Sequence, residues 1–147
     1  MGAADYDFDH SMTLAAAPEQ VHAVLVDLEH FGSWWPQVRA VASLGPDDAL
    51  VVCRSVLPYD LELHLHAENR DPGLLRVAID GPIRGYAQWK LRAVPGGTRL
   101  DFEQRVRAVD RAFVLASYLV KPVLSWNHRR MMVGAEDGLA LRFGTVS

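Results

Sequence analysis

Apolar and polar residues alternate from Tyr6 to Leu14. Tyr6, Phe8, His10, Met12 and Leu14 fall on one side, and Asp5, Asp7, Asp9, Ser11 and Thr13 on the other. A period of two is that of a half-buried strand. The pattern then changes. Pro18 suits the first turn of a helix, and Glu19 is favourable beside its positive end. Val21, Val24, Leu25 and Leu28 recur at helical spacing, which predicts an amphipathic helix from Pro18 to about Leu28. Glu29 to Trp35 is predicted as a second short helix or turn, closed by Pro36 because the residue before proline avoids the α region.

Beyond Pro36 the alternation returns, punctuated by turns. Val38 to Leu44 leads into Gly45-Pro46-Asp47-Asp48, and Leu50 to Leu57 stops at Pro58. Leu61, Leu63, Leu65 and Ala67 alternate with Glu62, His64 and His66. Asp71-Pro72-Gly73 turns into Leu75, Val77 and Ile79, and Gly81-Pro82 breaks the chain again. Ala87, Trp89 and Leu91 form the next alternating set. Pro95-Gly96-Gly97 then leads to Leu100, Phe102, Gln104 and Val106. Short loops between successive alternating runs predict an antiparallel meander with one apolar and one polar face.

Ala112 to Phe143 lacks strand alternation and reads as one long helix, with a kink expected at Pro122. Helical spacing puts Leu119, Val120, Val123, Trp126, Met131 and Leu141 on one broad face, predicted to be the buried one. Ser117, Lys121, Ser125, His128, Arg129 and Glu136 fall opposite, as the predicted outer face. Gly134 and Gly138 lie on the apolar side, where a missing side chain permits close approach of a neighbour. The fold class that follows is α+β: a curved antiparallel sheet of about seven strands wrapped around the C-terminal helix, with two short helices after the first strand. A twisted sheet bends away from a straight rod, which leaves space for a pocket between them.

Composition narrows the function. The 147 residues fit a single domain spanning 1–147, and half of them are apolar. A net charge of -3 gives no basic excess for nucleic-acid phosphates. A single cysteine, Cys53, cannot form an internal disulfide, which favours a reducing compartment. The acidic N-terminus from Met1 to Asp9 lacks a signal-peptide core, and Ala112 to Trp126 is too short to span a bilayer. A cytoplasmic protein without stable membrane insertion is expected. No phosphate loop, HExxH, CxxC or nucleophile elbow is present. Cys53 has no activating neighbour.

The order of elements and several motifs resemble the START-like (helix-grip, SRPBCC) superfamily, in particular its bacterial polyketide cyclase/dehydrase subgroup. The likeness rests on Ala17-Pro18-Glu19-Gln20-Val21, on Asp27 to Pro36 with its Trp34-Trp35-Pro36, and on Leu57-Pro58-Tyr59. It continues in Gly85 to Trp89, Gly96-Gly97-Thr98-Arg99 and Lys121 to His128, and it spans nearly the whole chain. Two positions depart from the pattern: His22 stands where tryptophan is common, and Gln104 where an aromatic residue is common. The resemblance implies a hydrophobic cavity and no metal, nucleotide or other cofactor. It does not by itself imply catalysis.

The candidate ligand-contacting residues are Trp35, Leu63, Trp89, Gln104, Val123, Asn127 and Met131. Of Trp34 and Trp35, one indole is expected to plug the open end of the sheet and the other to lie partly at the surface. Trp35 is the one that could wall the pocket mouth. Trp89 points to the long helix by strand parity. Gln104 and Asn127 are amides on otherwise apolar faces, and an unpaired buried amide costs about 1–3 kcal/mol. Each therefore needs backbone, water or ligand as a partner. His10 lies on the apolar side of its strand. His64 and His66 share a face with Glu62, read as a solvated charged face in preference to a zinc site. Arg130 is expected to snorkel to solvent. The facing of Arg54 and Tyr118 is left open. Access to the pocket is expected near Phe113, Val114 and Leu115, which could equally form a dimer contact.

Two functions fit these features. One is a module that binds a small hydrophobic ligand, lipid-like or aromatic polyketide-like, with a homodimer compatible. The other is a polyketide cyclase or dehydratase, catalysing aldol cyclisation and water loss in the same cavity. The second needs a base within reach of an acidic C–H, and no interior residue stands out for it. Binding is therefore ranked first.

Overall fold

The computed structural model describes residues 4–57 and 59–144. The expected strand stop at Pro58 lies outside them. The first strand, β1, runs Asp5–Leu14, and helix α1 runs Pro18–Val26. Pro18 occupies the first turn of α1, and the Ala17 N–H donates to Gln20 Oε1 at 3.0 Å. A 3-10 helix follows at Leu28–Ser33. Six strands come next: β2 (Val38–Ser43), β3 (Asp48–Cys53), β4 (Leu61–Asp71), β5 (Leu74–Asp80), β6 (Ile83–Val94) and β7 (Gly97–Ala108). The last element is the long helix α2, Arg111–Phe143. Helix α2 begins where Asp110 accepts hydrogen bonds from the Ala112 and Phe113 amides, an acidic N-cap.

All seven strands form one antiparallel sheet in the order β1-β7-β6-β5-β4-β3-β2. Only the placement of β1 breaks the meander. It pairs β7 along its whole length, from Asp5 opposite Arg107 to Leu14 opposite Thr98. Register shifts interrupt the β2–β3 and β4–β5 ladders, and such irregularities bend strands. The expected alternation holds, since Tyr6, Met12, Leu14, Leu100, Phe102 and Val106 are all buried.

Helix α2 does not present the face that its apolar residues predicted. Ser117, Leu124, Asn127, Met132, Ala135 and Leu139 are its buried positions. Leu119, Val120, Val123, Trp126 and Leu141 are exposed. The backbone leaves helical geometry at Val120 (φ -137°, ψ 31°), two residues before Pro122. Proline removes a hydrogen bond and crowds the preceding turn, which accounts for the break. Tertiary constraints fix the facing. Tyr6 Oη lies 2.6 Å from Ser117 Oγ, which itself donates to the Phe113 carbonyl at 2.8 Å. Lys121 Nζ donates to the Asp5 carbonyl and sits over the Tyr6 ring. The apolar side of β1 thus takes the polar side of α2.

Further along, the expectation for the glycines holds. A Cβ on Gly138 would stand 1.7 Å from the Trp34 carbonyl oxygen, and one on Gly134 would meet the Gln37 side chain. This contact draws the Trp34-Trp35 segment down onto α2 and corrects the expectation that one indole would reach the surface. Both are buried, stacked 5.4 Å apart, and Trp35 Nε1–H donates to the Met131 carbonyl at 2.9 Å.

Candidate functional site: a two-chambered hollow between sheet and helix

The concave face of the sheet and α2 enclose a hollow in two parts. The outer chamber has a volume of about 360 Å³. Its walls include Leu25, Phe31, Val51, Leu75 and Trp89. The inner chamber, about 100 Å³, lies against the first half of α2. Trp35, Cys53, Leu63, Phe102, Gln104 and Met131 line both chambers and so form the partition between them.

Five of the seven sequence candidates, Trp35, Leu63, Trp89, Gln104 and Met131, line the outer chamber. Asn127 lines the inner one. Val123 does neither. It is 43% exposed on the outward side of α2 and is withdrawn from the candidates, because the helix is rotated from the orientation its apolar residues suggested. Tyr118, whose facing was open, is on the outside, and Arg54 is a half-exposed residue just past β3, 4.0 Å from Asp60. The mouth is corrected too. The outer chamber reaches the surface at Asp27 and Glu29 of the 3-10 region and at Ser43 to Asp48 of the β2–β3 turn. Phe113 instead lines the inner chamber, at the other end of the hollow. His22, one of the two departures from the family pattern, lies near this mouth with its Nε2 3.0 Å from the Arg70 carbonyl oxygen, joining α1 to β4.

The polar groups of the interior have distinct tasks. Asn127 is satisfied by backbone: its Oδ1 accepts the Leu57 N–H at 2.9 Å, and its own carbonyl accepts Ser55 Oγ–H at 2.9 Å. It ties the chain after β3 to α2. Gln104 is buried, and its Oε1 stands 3.0 Å from His128 Nε2. His128 was expected on the outer face of α2. It lies inside, stacked on Phe8 with ring centroids 3.6 Å apart, and lines the inner chamber. Burial, followed by the nearby His10, lowers its pKa to about 3. A neutral imidazole bonded this way donates Nε2–H to Gln104, and its buried Nδ1 has no partner among the described residues. The Gln104 amide nitrogen is then the interior donor not committed to His128. Tyr6 and Tyr59 also line the inner chamber, and burial raises both their pKa values, so each stays a protonated phenol. The Cys53 thiol is pushed up to about 12 by burial and is an inert wall group.

Outside the hollow, His64 Nε2 and His66 Nδ1 both reach Asp48 Oδ1, at 3.1 and 2.9 Å. His10 Nε2 lies 2.6 Å from Glu136 Oε1 at the edge between β1 and α2. Sequence reasoning missed His128 because it sat among polar residues on what looked like a solvent face. The one usable signal was Gln104, an amide with no partner on its own strand face.

The family model described as polyketide cyclase/dehydrase and lipid transport matches residues 6–135. No curated protein matches the chain in sequence. Among solved structures, a START superfamily protein from Mycobacterium smegmatis superposes with a TM-score of 0.74 at 11% identity, covering 92% of this chain and 98% of that one. The Zhui aromatase/cyclase of Streptomyces gives 0.72 at 13%, covering 94% and 93%. The di-domain aromatase/cyclase StfQ of the steffimycin biosynthetic pathway gives 0.64 at 15%, with 95% of this chain matched to 52% of that one. No helix among the described residues is long and apolar enough to cross a membrane. A helix-grip sheet closed on a long C-terminal helix, a hollow between them and a family match over most of the length lead to one assignment: with a fold like that of the START superfamily structure, the chain belongs to the polyketide cyclase/dehydrase and lipid transport family.

Proposed function

We propose that the protein binds a small, uncharged hydrophobic ligand, lipid-like or aromatic polyketide-like, in the outer chamber. The observation that carries this reading is the chamber of about 360 Å³ walled by apolar and aromatic side chains between sheet and helix. That volume is ordinary for a small-molecule site. Removing apolar ligand surface from water drives binding. At about 0.3 kcal/mol per heavy atom, a ligand of about 20 such atoms binds with roughly -6 kcal/mol, a Kd of about 40 µM. Trp35, Leu63, Trp89 and Met131 supply contact area. The Gln104 amide nitrogen supplies one directed donor, suited to a carbonyl or ether oxygen. No buried cation waits at the partition to neutralise a carboxylate, which favours an uncharged inner end on the ligand.

The test is native mass spectrometry of untreated protein, followed by titration with a hydrophobic fluorescent probe while indole emission is monitored. A retained small molecule, or probe binding that quenches indole emission, supports the reading. A protein that carries nothing and leaves its indoles unchanged with every probe defeats it. Trp89→Ala is expected to abolish probe binding. Gln104→Leu is expected to shift preference from ketones towards hydrocarbons.

The cyclase reading ranks second. Its support is the interior donor set of Gln104 and Tyr59, groups able to polarise a ligand carbonyl. The base is its weak point. The chamber carboxylates, Asp27, Glu29, Asp47 and Asp48, stand at the mouth, and His128 is too weak a base with a pKa of about 3. Conversion of a poly-β-ketone thioester analogue to an aromatic product, above the rate without protein, would promote this reading over simple carriage.

A further inference from the structure

The first half of α2 wears its apolar residues outward. Leu115 is 61% exposed, Tyr118 67% and Leu119 73%, with Trp126 also on the surface. Leu115, Tyr118 and Leu119 share one helical face before the break at Val120, and Val123 and Trp126 are exposed just beyond it. Such a patch departs from the scattered apolar residues of an ordinary surface. Its charge is equally distinctive. From Arg111 to Ala135 the chain has four cations, Arg111, Lys121, Arg129 and Arg130, and no carboxylate, in a protein of net charge -3. Lys121 turns inward to Asp5 and Tyr6. Arg111, Arg129 and Arg130 form no ion pair with any described residue, and in the chain they stand on either side of the exposed apolar residues, Arg111 before and Arg129 and Arg130 after.

We propose that this face docks on an anionic lipid surface. The apolar patch enters the headgroup and acyl boundary, with Tyr118 and Trp126 at the level where amphipathic rings are favoured. The flanking guanidinium groups take lipid phosphates. A second copy of the chain is the poorer occupant. A two-fold contact across this face would set cation against cation, because the stretch has no carboxylate to answer them. The proposal is independent of what the hollow binds.

The experiment is flotation of the whole protein with vesicles of phosphatidylcholine alone, or with about a third phosphatidylglycerol added. Wild-type protein is expected to float with the anionic vesicles only, and to be released as salt rises. Leu119→Glu is expected to lower the bound fraction at least tenfold. The residue is mostly exposed, so its thermal midpoint should stay put. Arg129→Gln with Arg130→Gln lowers partitioning about thirtyfold if each cation contributes as juxtamembrane basic residues do. This second variant decides the matter should Leu119→Glu fold poorly. Failure to float with anionic vesicles overturns the proposal. So does binding that neither variant weakens. A solution dimer that Leu119→Glu dissociates, or retention of polyglutamate in place of vesicles, assigns the face to another occupant and overturns it as well.

Discussion

The two halves of α2 obey opposite rules. From Met132 to Leu139 the helix hides Met132, Ala135 and Leu139 in the core, and Gly138 lets the Trp34 backbone touch it. From Arg111 to His128 the side chains of Leu115, Tyr118, Leu119, Val123 and Trp126 face out, while Phe113, Leu124 and the polar Ser117, Lys121, Asn127 and His128 turn towards the sheet and the inner chamber. The second half is packed, and packing rewards apolar volume. The first half borders a hollow and the polar groups that anchor it, so the hydrogen bonds of Ser117 and Lys121 join the packing of Phe113 and Leu124 in fixing its rotation. Even at the packed end Leu141 stays exposed, so apolar periodicity alone does not report the facing of this helix.

The sharpest way to break this comparison is at the packed end. Leu139→Ala is expected to cost about 3 kcal/mol, because a fully buried leucine leaves a cavity. Leu119→Ala is expected to cost under about 0.5 kcal/mol. Chemical denaturation of both variants measures the contrast, and comparable losses would mean that the outward face is buried in solution. Gly138→Ala is expected to cost about 3 kcal/mol or more through overlap with the Trp34 carbonyl.

A pH titration probes the polar half. The folded pKa of His128, about 3, lies below the ordinary histidine value of 6.5. Between those values the unfolded chain binds the extra proton, so this residue makes stability fall as pH falls below 6.5. Between about pH 6 and 5, above the ordinary glutamate value, the His128 share of the slope should approach but not exceed about 1.4 kcal/mol per pH unit, opposed by His30 and His66, whose pKa values Asp27 and Asp48 raise. His128→Gln should flatten it, as read from denaturation midpoints across that range. The smallest expected effect concerns the partition. Cys53 should stay unreactive to a thiol reagent at pH 8 in the folded protein and react at once on unfolding.

The sheet was legible because its code is local. A buried strand with one wet face must alternate, and Tyr6, Met12, Leu14, Leu100, Phe102 and Val106 do so in sequence and structure alike. Family motifs carried the helix-grip fold, but the return of β1 to β7 is encoded by no local pattern. The hollow followed from geometry, four of its wall residues from strand parity or motif, and Met131 from helical spacing. What resisted reading was rotation. Nothing near Ser117 announces that Tyr6, more than a hundred residues earlier in sequence, will take its hydroxyl. Nor does the Trp-Asn-His run show that His128 will stack on Phe8. The expectation that one of the Trp34-Trp35 indoles reaches the surface failed for a related reason, since Gly138 lets the Trp34 backbone close onto α2.

The pairing of β1 with β7 also constrains how the molecule is made. Strands β2 to β7 form a ladder in which each finds its neighbour soon after synthesis. By contrast β1 leaves the ribosome first and must wait for Thr98 to Arg107, with its apolar side uncovered meanwhile. Closing so long a loop is slow, and an unpaired apolar strand edge is a template for association. The aspartates at positions 5, 7 and 9 put charge on that waiting strand, where it guards the nascent chain against joining its neighbours.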